Sequence, residues 1–64
     1  MFTHVKCLKR VEDGEGVYCF EKQFYEIIDH NSEEDLYTIE CDIPELELQI
    51  LGDDPAFEFM RVGV

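Results

Sequence analysis

Apolar and polar residues alternate along the last three hydrophobic runs of this chain. Leu36-Tyr37-Thr38-Ile39-Glu40-Cys41 puts Tyr37, Ile39 and Cys41 on one face. Glu45-Leu46-Glu47-Leu48-Gln49-Ile50 turns Leu46, Leu48 and Ile50 inward and leaves Glu45, Glu47 and Gln49 outward. Phe57-Glu58-Phe59 repeats the pattern with two aromatics on the same side. A period of two marks a half-buried strand, because successive side chains of an extended backbone point to opposite faces. The first run, Thr3 to Val11, alternates around Val5 and Cys7 until Leu8 breaks the phase, which predicts a bulge there.

The segment from Val17 to Asp29 admits two readings. Phe20, Phe24, Ile27 and Ile28 fall at i, i+4, i+7 and i+8, the spacing of an amphipathic helix. Its aromatic and β-branched content favours instead a strand from Phe24 to Asp29, entered through a turn at Glu21-Lys22. Polar clusters punctuate the rest: Glu12-Asp13-Gly14-Glu15-Gly16, His30-Asn31-Ser32-Glu33-Glu34-Asp35, Asp42-Ile43-Pro44 and Gly52-Asp53-Asp54-Pro55. They divide the chain into five short runs, the spacing of a small all-β barrel or sandwich. The alternative is an α+β fold with a helix over residues 20–29. Either way the 64 residues make a single domain, 1–64. A chain of this size buries only about 60% of its unfolded surface, so its margin of stability is thin.

Charge changes the picture most. Sixteen acidic residues stand against five basic ones, a formal net charge of −11. Lys6, Lys9, Arg10 and Lys22 lie in the first third and Arg61 near the end. Between Gln23 and Met60 there are twelve acids and no Lys or Arg. Direct binding to nucleic acid or to an anionic membrane calls for the opposite sign. A partner with a basic surface is expected instead.

The cysteines, Cys7, Cys19 and Cys41, are odd in number and widely spaced, which is no disulfide framework. The opening Met1-Phe2-Thr3-His4-Val5-Lys6 has no apolar run behind its charge, and no stretch is long enough to span a bilayer. These features predict a cytoplasmic protein with free thiols. A zinc site from His4, Cys7, Cys19, His30 and Cys41 is disfavoured. Its one close pair, His4 and Cys7, points to opposite faces of a strand, and structural zinc prefers closely paired ligands. Cys7 and Cys41 keep the apolar phase and read as core thiols. No phosphate loop, nucleophile elbow or metal-binding helix motif is present, and so short a chain has little room for a pocket. No enzyme activity, cofactor or metal is expected.

The order of residues carries a resemblance. Val5-Lys6-Cys7-Leu8, then Phe20-Glu21-Lys22-Gln23-Phe24-Tyr25-Glu26-Ile27-Ile28-Asp29, then Tyr37-Thr38-Ile39 and Phe57-Glu58-Phe59 resemble short bacteriophage and Gram-positive prophage proteins. That family carries a Phe-x-x-Gly-Lys-x-Tyr-Glu-Val-Ile-Asp type segment. The resemblance implies a small five-stranded Src-homology-3-like barrel of phage origin, and no catalytic residues. This chain departs from the pattern at Lys22-Gln23, where the family prefers Gly-Lys before the second strand.

Same-face residues on a strand recur about every 6.5–7 Å, close to the spacing of successive phosphates on one nucleic-acid strand. Glu45 and Glu47, with Glu33, Glu34 and Asp35 from one loop and Asp53 and Asp54 from another, are therefore the expected contact residues. They would engage a basic surface of a host protein, as a nucleic-acid mimic where that protein is a nucleic-acid enzyme, and inhibit or redirect it. The alternative is a structural barrel that self-associates through an exposed edge strand and the tyrosines Tyr18, Tyr25 and Tyr37.

Overall fold

The computed structural model describes residues 1–63, and these form seven short strands and no helix. The strands are β1 (His4–Cys7), β2 (Val11–Asp13), β3 (Gly16–Cys19), β4 (Phe24–Asn31), β5 (Leu36–Glu40), β6 (Glu47–Leu51) and β7 (Phe57–Met60). Five of them make an antiparallel sheet in the order β6-β5-β4-β1-β7, while β2 and β3 form a separate hairpin. The fold is all-β. Its sheet curls into a half-barrel compatible with a small Src-homology-3-like barrel.

The helical alternative for residues 20–29 is overturned, because Phe24–Asn31 is the longest strand of the fold. Three of the four residues that suggested a helix are solvent-exposed: Phe20 at 45%, Phe24 at 58% and Ile28 at 40%. A bulge explains the misleading pattern. Ile27 lies opposite Ile39 and Asp29 opposite Thr38, so Ile28 is an extra residue on β4. Before it the odd positions Tyr25 and Ile27 turn inward. After it the even position His30 lies opposite buried Tyr37 and stacks on its ring at 3.9 Å. The bend lets β4 serve two neighbours, pairing with β1 from Phe24 to Glu26 and with β5 from Ile27 onward.

The first two runs of the sequence each divide in two. β1 ends at Cys7, and Leu8 leaves the strand with 51% of its surface exposed, so no bulge forms there. The first bulge lies later, between Val11 and Glu12. In the β2–β3 turn, Asp13 accepts a hydrogen bond from the Glu15 N–H at 2.7 Å, and Gly16 takes φ +139°. The turn into β4 is closed by two bonds to β1: Lys22 N–H to the Cys7 carbonyl at 2.7 Å and Cys7 N–H to the Gln23 carbonyl at 2.9 Å. Lys22 itself occupies φ +69°, so the departure from Gly-Lys leaves a lysine in a left-handed conformation.

The core consists of Val5, Cys7, Cys19, Tyr25, Tyr37, Ile39, Ile50 and Phe57. Phe2 and Phe59 extend it as an aromatic cap over Tyr37, with Phe2–Phe59 and Tyr37–Phe59 centroids 5.5 Å and 4.7 Å apart. The Tyr25 hydroxyl, part-buried at the edge of the core, is satisfied. It donates to Asp42 at 2.5 Å and accepts from the Phe20 N–H at 2.8 Å, tying three segments together. Burial and the Asp42 bond push its phenol above the ordinary tyrosine range.

Candidate functional site

Two acidic turns meet at one end of the half-barrel. β5 and β6 pair with Leu36 opposite Leu51, so the turn leading into β5 and the turn leaving β6 lie side by side. The Gly52 N–H donates to the Asp35 carbonyl at 2.9 Å and stitches them together. A side chain at Gly52 would have to push the exposed Asp35 carboxylate aside. Glu33, Glu34, Asp35, Asp53 and Asp54 are thereby brought to the same end.

Each turn has a local cause. Asn31 Oδ1 accepts from the N–H groups of Glu33 at 3.0 Å and Glu34 at 3.3 Å, an arrangement that holds both glutamates out into water. Asp35 closes the turn at φ +52°, and its carboxylate lies 3.4 Å from His30 Nε2. In the second turn the Asp54 carboxylate accepts from the Ala56 N–H at 2.9 Å. Asp54 is therefore half-buried and committed to its own turn, whereas Glu33, Glu34 and Asp53 are free to meet a partner. Among the described residues none of the five is paired with a Lys or Arg.

Glu45 and Glu47 lie elsewhere. They flank the start of β6, at the opposite end of the β5–β6 pair. The expectation that they form a strand-spaced pair is corrected. Glu45 sits in the turn before β6 at φ +64°, and Leu46 is 40% exposed rather than inward. The turn after Pro44 absorbs these two residues, closed by a Leu46 N–H bond to the Ile43 carbonyl at 3.2 Å. The repeat that suggested successive phosphates is not present. Glu47 instead lies directly across from Glu40, a residue the sequence reading passed over. Pairing the two strands about Asp42-Ile43-Pro44 would have revealed it. On the outer face, Ile28, Asp29, Thr38, Glu47 and Gln49 line a shallow open groove.

The tyrosines do not supply an exposed interface. Tyr25 and Tyr37 are core residues at 6% and 8% exposure. Tyr18 is half-buried and donates to Asp13 at 2.6 Å, which holds the Asp13 carboxyl below its ordinary range and raises the Tyr18 phenol to about 12. The exposed aromatics are Phe2, Phe20 and Phe24, the last with Lys6 5.9 Å from its ring centre. Cys7 and Cys19 are fully buried free thiols. Burial raises both, Cys19 to about 12, so neither offers a thiolate nucleophile at neutral pH. Among the described residues no group of three or more His, Cys, Asp and Glu side chains could hold a metal ion. No helix among them is long and apolar enough to cross a membrane.

No protein family, curated protein or solved structure matches the chain.

Proposed function

We propose that this chain is an acidic protein-interaction module that binds a basic surface of another protein through the end carrying Glu33, Glu34, Asp35 and Asp53. The observation that carries this reading is the meeting of two acidic turns across the Gly52–Asp35 hydrogen bond, with no Lys or Arg paired to them among the described residues. Carboxylates gathered at one end in this way repel one another and set up a field that would steer a cationic partner. In the phage-type setting that the sequence resemblance implies, the partner is a host protein, inhibited or redirected by the loss of its basic groove. A nucleic-acid enzyme is the natural class, because its groove already selects closely spaced anions.

The test is capture from bacterial lysate by the tagged chain at low and then high salt. One dominant partner, released by salt and competed off by DNA, is the expected result. The triple variant Glu33→Lys, Glu34→Lys, Asp53→Lys should lose it, while Glu45→Lys should retain it. Capture that survives both salt and the triple variant would move the interface to the exposed Leu8, Phe20 and Phe24.

A second reading, self-assembly, draws on the borders of the sheet, where among the described residues β6 and β7 each have a single strand neighbour. Sedimentation at several concentrations separates the two readings. A stable oligomer that captures no partner would favour assembly.

A further inference from the structure

β6 lies at one border of the sheet. Among the described residues β5 is its only strand partner, and no other strand shares an extended contact with it. A border strand presents a row of unpaired backbone N–H and C=O groups, which natural proteins usually block with a proline, a bulge or a central charge. β6 has none of these between Leu48 and Leu51. Its register with β5 runs unbroken from Glu47 to Leu51, and it contains no proline.

Charge selects what can fill the border. A second copy pairing antiparallel through its own β6 would bring together two chains that each carry a net charge of −11, with Glu47 of both copies at the new seam. Like charges gathered along one seam oppose that pairing. A segment bearing Lys or Arg meets the reverse situation. Glu47 and Asp29 border the groove on the outer face beside β6, and Asp53 lies just beyond its end.

Resting on the acidic-module reading above, we propose that the open edge of β6 accepts an extended Lys/Arg-bearing segment of the partner as an added strand. Backbone hydrogen bonds to the outward-facing groups of Glu47 and Gln49 and to the Leu51 N–H supply the pairing, and alternate cationic side chains lie along the acidic outer face. The backbone groups of Leu48 and Ile50 are taken up by β5, and the Leu51 carbonyl already accepts from the Asp54 N–H at 3.1 Å.

The test uses the full chain and three capped hexapeptides, with calorimetry and amide hydrogen exchange as readouts. The first is Lys-Val-Lys-Val-Lys-Val, the second the same sequence N-methylated at alternate residues, and the third Glu-Val-Glu-Val-Glu-Val. The first peptide should bind and slow exchange at β6. N-methylation removes backbone donors and keeps the charge; losing two hydrogen bonds should weaken binding about 30-fold. Gln49→Lys, an exposed substitution that puts a cation at the centre of the edge, should weaken the first peptide as well. Equal binding of the first two peptides would overturn strand addition and leave the charge-based module intact. Binding of the Glu peptide as tightly as the Lys peptide, or no peptide binding at all, would also overturn it, whatever the lysate capture shows. A dimer that protects β6 amides without peptide would overturn it in favour of a second copy.

Discussion

Lys22 shows how much one dihedral angle decides. Its φ of +69° lies where side chains other than glycine are strained, at a cost of about 1–2 kcal/mol. Part of that cost returns as backbone entropy when glycine is used, so Lys22→Gly should raise stability by about 0.5–1 kcal/mol. A shift of the urea midpoint to higher concentration checks this, and a lowered midpoint would deny the strain. The cysteines separate as sharply. Cys7 and Cys19 are completely buried while Cys41 is partly exposed. In the native state at pH 8 an alkylating reagent should modify Cys41 alone, with all three modified in denaturant, as read by intact mass. Raised folded-state values for Cys19 and Tyr18 favour their neutral forms. Their contribution is fully present below the ordinary values of 9.0 and 10.0 and is lost as pH rises towards about 12. Stability should therefore fall along that alkaline limb, measurable by urea midpoints at successive pH.

Among the elements, the β5–β6 pair carries an internal conflict. Glu40 and Glu47 face each other directly, and opposed like charges on a strand pair are unfavourable. Glu40→Lys should stabilise the fold by roughly a few tenths of a kcal/mol at low ionic strength, with the gain shrinking as salt screens it. Thermal melts of both proteins across a salt series test this; a gain that ignored salt would assign the effect to packing. The bulge at Ile28 is the other decisive element. It lets one strand border two neighbours, and it moves His30 onto the Tyr37 ring. Without it, Asp29 and Asn31 would keep the inward phase, and two polar side chains would face the core.

For the molecule as a whole, self-repulsion is the dominant electrostatic fact. The net charge is −11, and the one Lys/Arg ion pair among the described residues, Arg10–Glu12, is exposed and worth little. Raising salt from about 0.01 M to 0.15 M shortens the screening length from about 30 Å to 8 Å and should raise the melting temperature. The same salt should weaken capture of a basic partner. Stability and binding are thus expected to move in opposite directions over one titration, a combination that an apolar interface would not produce.

The sequence by itself determined that the segments of β5 and β7 are extended and which of their residues turn inward, because a period of two depends only on nearest neighbours along the chain. For residues 20–29 it left helix and strand both open. It also determined the excess of acid and the turns at Asn31–Asp35 and Gly52–Pro55, where the local chemistry of Asn, Asp and Gly suffices. Tertiary structure decided the rest. The bulge at Ile28 exists because β4 must bend between β1 and β5, which no periodicity within the segment reports. Glu45 is lost from its strand because the turn after Pro44 takes two more residues than alternation implies. The grouping of Glu33, Glu34, Asp35, Asp53 and Asp54 apart from Glu45 and Glu47 follows from the β5–β6 register. Residues separated in the chain become neighbours only when backbone hydrogen bonds fix that pairing.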